Sequence, residues 1–405
     1  MELAIRRFKG EAGERFSILV DESGMPLYYP ALYATAELRG ASLSINTIHS
    51  ALHAIKAIYA WQEYYGIDLE SRFKRSELLQ AHEVHSLRDF MQKPMDSMLP
   101  EVETVVAINR QVKRVSKDTQ YNRMTIGAEY LGFLAGRLLP TTSNSAKEIA
   151  AMVSQVKANR PKFGDKTEKD RSAATLDDNV LDALEEMLAP GNLSNPVADI
   201  GLQYRNALMF IILRVTGMRR GELLNLKIED FDFARNTVKV VRRADSGGDP
   251  RTYQPLTKTK ERTIPLIPEL MDKIHSYVTK YRNGVPGARK HGYLFVVHRP
   301  GRTLGWPLSN SGFGKFIEMV SGLIDDTTGL HAHALRHQWN YVFSKKCEAS
   351  GWTPEKIEKM RSYIMGWSET SGTAQTYNKK YVREAADKAV VAMQEKYLRA
   401  DSNGR

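Results

Sequence analysis

The stretch HAHALRHQWN, His331 to Asn340, sets three histidines and one arginine within its first seven residues. Two readings compete for it. His331 and His333 have the His-x-His spacing of a zinc site, which would need a remote carboxylate, histidine or thiolate to complete it. Arg336, three residues after His333, falls on the same helix face and would set a fixed cation against a divalent one. That same pair makes an anion clamp: a planar donor fork from the guanidinium and a titratable donor or base from the imidazole. The spacing favours an anion, and the rest of the chain must say which.

The bulk composition narrows the choice. With 405 residues, 42% hydrophobic and 26% charged, the sequence reads as a soluble globular protein with two or three cores. The start MELAIRRFKG is charged from Glu2 and does not resemble a signal peptide. The longest apolar run, ALMFIILRVTG, is short and broken by Arg214, so no membrane partner is expected. The single cysteine, Cys347, excludes an intrachain disulfide and a multi-thiolate metal site. A formal charge of +11 favours a polyanion as partner, with counterion release contributing to affinity.

Periodicity divides the chain. Residues 1–40 read as a small unit of their own, with RFSILVDESGMPLYYP as a strand, a turn at Glu22 to Gly24 and a second extended segment. From Ser44 the period changes. Ile45, Ile48, Leu52, Ile55 and Tyr59 predict a helix of about five turns. Similar patterns at SELLQAHEVHSLRDFM, DTQYNRMTIGAEYLGFLAGRLL and SAKEIAAMVSQVKANR make residues 44–158 a helical bundle, with Asp118 and Ser143 or Ser145 as expected caps. Residues 159–174 then form a polar linker. Lys157, Arg160, Lys162, Lys166, Lys169 and Arg171 cluster on and beside it, a strap suited to a phosphate backbone. Residues 175–405 are expected to be mainly helical with a small sheet: capped and buried helices up to Gly217, strands at TVKVV and RTIPL, then further helices.

Four islands in this last unit suit one task. In TGMRRGELLNL, Gly217 can end a helix in a left-handed conformation, leaving Arg219 in the turn and Glu222 at the next helix start; an Arg219–Glu222 ion pair is the plainer alternative. In LTKTKERTIPL, Lys258 and Lys260 flank a turn from which a lysine can reach a ligand. HAHALRHQWN is the third. In YIMGWSETSGTAQTYNKKY, Trp367 offers only an N–H donor, and Tyr377 has a phenol that is a poor nucleophile unless cations stabilise its anion or a base removes its proton.

Taken in order, Arg219, Lys258, His333, Arg336, Trp367 and Tyr377, in the contexts TG-M-R-x-G-E, TKT, H-x-L-R-H and G-W followed by a tyrosine, resemble the tyrosine recombinase, or phage integrase, family. The likeness covers about residues 175–390, and the helical unit resembles that family's core-binding domain. The resemblance implies a mainly α fold with a small antiparallel β-sheet in an α+β catalytic domain, preceded by a helical DNA-binding domain. It implies site-specific cutting and rejoining of double-stranded DNA through a 3′-phosphotyrosyl intermediate, with no cofactor, metal or ATP.

Residue by residue, the resemblance gives Arg219 and Arg336 the grip on the scissile phosphate and Lys258 the proton for the departing 5′ oxygen, with Lys260 as its rival. His333 becomes general acid/base, supported by His337. Trp367 becomes a phosphate hydrogen-bond donor, and Tyr377 the nucleophile. One departure is the spacing: ten residues separate Trp367 from Tyr377 where the family usually has nine, which makes Tyr381 the rival phenol. Lys162, Lys166 and Lys260 are candidate DNA contacts. The family also implies a homo-oligomer on DNA, a tetramer in the synapse, with accessory DNA-bending or directionality proteins, a bacterial cytoplasmic location and a C-terminal segment VREAADKAVVAMQEKYL that can dock on a neighbour. A type IB topoisomerase and a catalytically silent DNA-binding protein are the rival readings.

Overall fold

The computed structural model describes residues 2–41, 43–98, 113–142, 144–162, 176–257, 259–324, 330–367 and 390–391. The chain divides into two compact units, Met1–Asp165 and Lys166–Arg405. Among the described residues the fold is mainly helical, with one two-stranded and one three-stranded antiparallel sheet, and no helix is long and apolar enough to cross a membrane.

The first unit begins with a hairpin of β1 (Ala4–Lys9) and β2 (Arg15–Val20), paired from Ala4↔Val20 to Lys9↔Arg15. The reading of this stretch is corrected in part. The strand β1 was not foreseen, and the segment after the Gly24 turn is extended only as far as Leu27, with Pro26 bridged to Val20, before the short helix α1 (Tyr28–Leu32) runs on as a π-helix through Tyr33–Arg39. Nor is this stretch a core of its own. Leu3, Leu19 and Tyr33 join Leu52, Ile55, Trp61, Leu131 and Val156 in one hydrophobic cluster. A two-stranded ribbon cannot bury enough apolar surface to stand alone, so it leans on the helices.

Helix α2 (Ile45–Tyr65) starts where Ser44 accepts a hydrogen bond from the Thr47 N–H and stops at Gly66 in the left-handed region. It is followed by α3 (Leu69–Lys74), α4 (Ala81–Phe90), α5 (Lys117–Leu138) and α6 (Ser145–Ala158), with α5 packed against both α2 and α6. The caps differ from expectation: Ser116, not Asp118, caps α5, and Asn144 precedes α6. Ser145 is spent on Pro140 and Thr142. Helix α4 is shorter than its pattern suggested: it starts after Gln80, whose N–H donates to Glu83 Oε2 at 2.8 Å.

In the second unit α7 (Asp178–Leu188) is capped by Asp177, and α8 (Ile200–Thr216) by Asp199. Gly217 closes α8 at φ 60°, and the short α9 (Arg220–Asn225) follows. Strands β3 (Phe231–Asp232), β4 (Thr237–Val240) and β5 (Arg262–Pro265) form the sheet in the order β3-β4-β5. Helices α10 (Pro268–Ser276), α11 (Asn310–Ser321), α12 (Ala332–Ala349) and α13 (Pro354–Met365) complete the unit. Its core joins Leu213, Leu223, Val238, Ile264, Ile274, Phe313 and Leu335. Helix α12 packs on α8, and α13 on β5 and α12. Those two contacts bring the end of α8, the start of α12 and the edge of the sheet together.

Candidate active site

The turn after α8 is built first. Only a residue without a Cβ sits there easily, since φ is positive and a Cβ on Gly217 would come within 2.9 Å of the Trp339 ring. Arg219 then caps α9 in extended conformation, and its N–H donates to Glu222 Oε2 at 3.1 Å. The guanidinium lies alongside the same carboxylate, with Nη1 3.7 Å from Oε1. The plainer ion-pair reading of this turn is therefore present. Yet Nη1 is shielded from solvent and, among the described residues, makes no hydrogen bond.

Glu222 is buried, and two further side chains hold it. Arg262 Nη2 donates to Oε2 at 2.7 Å, and the Thr259 hydroxyl donates to Oε1 at 2.6 Å. Burial alone would raise the carboxyl pKa; the Arg262 charge, these hydrogen bonds and the Arg336 charge outweigh it and keep the group ionised. Arg262 also donates from Nη1 to Thr259 Oγ1 at 3.0 Å and from Nε to the Ile364 carbonyl at 2.5 Å. Beside it the Lys260 N–H donates to the Gly366 carbonyl at 3.0 Å. The loop leading into β5 is thus stitched to the end of α13.

Helix α12 supplies the third wall. Arg336 is fully buried; its Nη1 donates to the Gly217 carbonyl at 2.7 Å and its Nη2 to the Met365 carbonyl at 3.4 Å. Its guanidinium lies 5.3 Å from the centre of the Trp367 ring, a cation–π distance. Partial burial, then the charges of Arg336, His331 and Arg219, lower the pKa of His333. His337, edge-to-face with His333 at 4.8 Å between ring centres, is pushed down to about 4 by burial, then by His333, His331 and Arg336. Both rings are therefore neutral near pH 7, and His333 is exposed at one edge. Among the described residues no three His, Cys, Asp or Glu side chains converge as a metal site would require.

Four of the six expected residues come together: Arg219, His333, Arg336 and Trp367. Lys258 lies outside the described residues, although Thr257 and Thr259 on either side of it are buried. Tyr377, Tyr381, Lys166 and all of the VREAADKAVVAMQEKYL tail except Val390 and Val391 also lie outside them. Lys260 and Lys162 are exposed, Lys162 in the other unit. Sequence reasoning missed Arg262 and Thr259. A signal existed: β5 alternates buried and exposed, which puts Arg262 on the same inward side as Ile264. A charge on the apolar side of a strand demands a buried partner.

Residues 195–384 match the family model described as the phage integrase family. The tyrosine recombinase XerD of Halalkalibacterium halodurans is 26% identical over 147 residues, 36% of this chain and 43% of that protein. The tyrosine recombinase XerA of Pyrococcus horikoshii is 28% identical over 198 residues, 48% of this chain and 58% of that one. The chain thus spans about half the length of these relatives. Among solved structures, a XerH site-specific recombinase bound to palindromic difH substrate is 18% identical, covering 67% of this chain and 65% of its own, with a TM-score of 0.43, too loose a likeness to add to the assignment.

Proposed function

We propose, from the match of residues 195–384 to the phage integrase family model, that the chain is a site-specific DNA recombinase that cuts and rejoins strands through Tyr377. The phenol oxygen of Tyr377 forms a bond to the scissile phosphorus as the bond to the 5′ oxygen breaks. The phenolic proton passes to the neutral imidazole of His333, and Lys258 delivers a proton to the departing 5′ oxygen. Arg219 and Arg336 stabilise the charge on the non-bridging oxygens, with the Trp367 N–H as a further donor. The 3′-phosphotyrosyl link conserves the energy of the broken diester, so a free 5′-hydroxyl can reverse the reaction without ATP.

The observation that carries this reading is the closeness of Arg219, His333 and Arg336 to one another, with the Glu222–Thr259–Arg262 cluster beside them. Phosphoryl transfer asks a protein mainly for positioned cations and neutral donors, and that is what this pocket supplies. The helical unit and the basic segment with Lys162 and Lys166 would hold the duplex through its phosphates. Four copies would work on two paired sites, with accessory DNA-bending or directionality proteins.

The test uses a nicked suicide duplex built on the sequence that the chain protects from nuclease. An adduct that survives denaturation and forms in the presence of chelator supports the recombinase. Protection without any adduct supports the silent DNA-binding protein. Relaxation of supercoils with no joining between two sites supports the topoisomerase.

A further inference from the structure

Outside the six expected residues, one buried group touches the supports of several of them. Arg262 is 6% exposed, and all three faces of its guanidinium are occupied. Nη2 meets Glu222, which in turn accepts the Arg219 N–H; Nη1 meets the hydroxyl of Thr259; Nε meets the carbonyl of Ile364, in the last turn before Gly366 and Trp367. The approach is close. A Cβ on Gly366 would lie 2.8 Å from the Lys260 carbonyl and 3.1 Å from Arg262 Nη1.

Resting on the recombinase reading above, we propose that Arg262 is a positioning residue that sets Arg219 and Trp367 in register around the scissile phosphate. It does not touch DNA. The planar fork is what the role requires, because three acceptors lie in three directions and only a guanidinium reaches all of them at once. A lysine can keep the charge beside Glu222, and so avoid a buried unpaired carboxylate, while losing the links to Ile364 and Thr259.

Arg262→Lys separates the two ideas. On a nicked duplex carrying an ordinary phosphodiester it should slow single-turnover adduct formation about 100-fold, the order expected from a misplacement of an ångström. The DNA concentration for half-saturation should stay within about twofold of wild type, since many other phosphate contacts remain. On the same duplex with a methylphosphonate at the scissile position, where one charged oxygen is absent and less cation positioning is needed, the loss should shrink to about tenfold or less. Thr259→Val, which keeps the Arg262–Glu222 pair, should move the same way by a smaller factor, and Thr259→Ser should restore the rate.

Equal losses on both substrates, or weakened DNA binding in step with rate, would overturn the proposal and leave Arg262 a packing residue. If the wild-type chain forms no adduct at all, the recombinase reading falls and this one with it. A wild-type adduct with an unaffected Arg262→Lys variant removes only this proposal.

Discussion

Nη1 of Arg336 donates a 2.7 Å hydrogen bond to the carbonyl of Gly217, 119 residues earlier in the chain. That bond ties the start of α12 to the end of α8, and it depends on a backbone conformation that Gly217 alone adopts without strain. Gly217→Ala combines a left-handed backbone with a Cβ against the Trp339 ring. A loss of about 1–3 kcal/mol is expected from the backbone alone. Chemical denaturation should show it, and cleavage should fall along with the misdirected carbonyl.

Removing the charge from Glu222 should cost more. Glu222→Gln leaves Arg262 buried beside a neutral amide, and breaking a buried pair in this way costs about 3–5 kcal/mol. The denaturation midpoint should drop accordingly. A variant as stable as wild type would mean that Arg262 finds compensation elsewhere.

His337 makes stability depend on pH in a defined direction. Its imidazole titrates near 4 in the folded protein, against 6.5 for an ordinary histidine. Above pH 6.5 the ring is neutral in both states and adds no slope. As pH falls from 6.5 towards 4 the unfolded chain takes up a proton that the folded chain refuses, so stability declines by about 1–2 kcal/mol after allowing for the ring's partial exposure. His337→Gln should flatten that part of the profile. His49 and His298, also lowered to about 4, contribute in the same sense and remain in the variant.

The proton donor can be tested through its leaving group. Lys258→Ala should cleave an ordinary diester slowly and a duplex with a better 5′ leaving group near the wild-type rate, because departure no longer needs a proton. If the improved leaving group fails to rescue Lys258→Ala but rescues Lys260→Ala, the role belongs to Lys260.

Much of the helical frame was legible because local chemistry decides it. Ser44 and Gly66 bracket α2, Asp177 opens α7, and Gly217 ends α8, each by a capping interaction within a few residues. The misreadings lie where distant parts of the chain decide. Leu19 and Tyr33 need the bundle to cover them, which a reading of residues 1–40 in isolation does not reveal. The misreading at Ser145 is local instead: it looked available as a cap, but Thr142 and the Pro140 carbonyl, three and five residues before it, engage it. Arg219, His333 and Arg336 were singled out through the order of their motifs, which resembles that of a known family, and the fold brings the three together. Arg262 showed only as a charge on the inward side of β5; Thr259 lies three residues before it, but Glu222, 40 residues before, and Ile364, 102 after, are recorded by no local pattern.

In the proposed reaction Tyr377 becomes bonded to DNA. The direct measurement is to trap the adduct on a nicked duplex, digest it, and identify the modified peptide by mass spectrometry. A nucleotide is expected on Tyr377, lost in Tyr377→Phe and retained in Tyr381→Phe. A nucleotide on Tyr381 or any other residue, or an undiminished adduct in Tyr377→Phe, would contradict it.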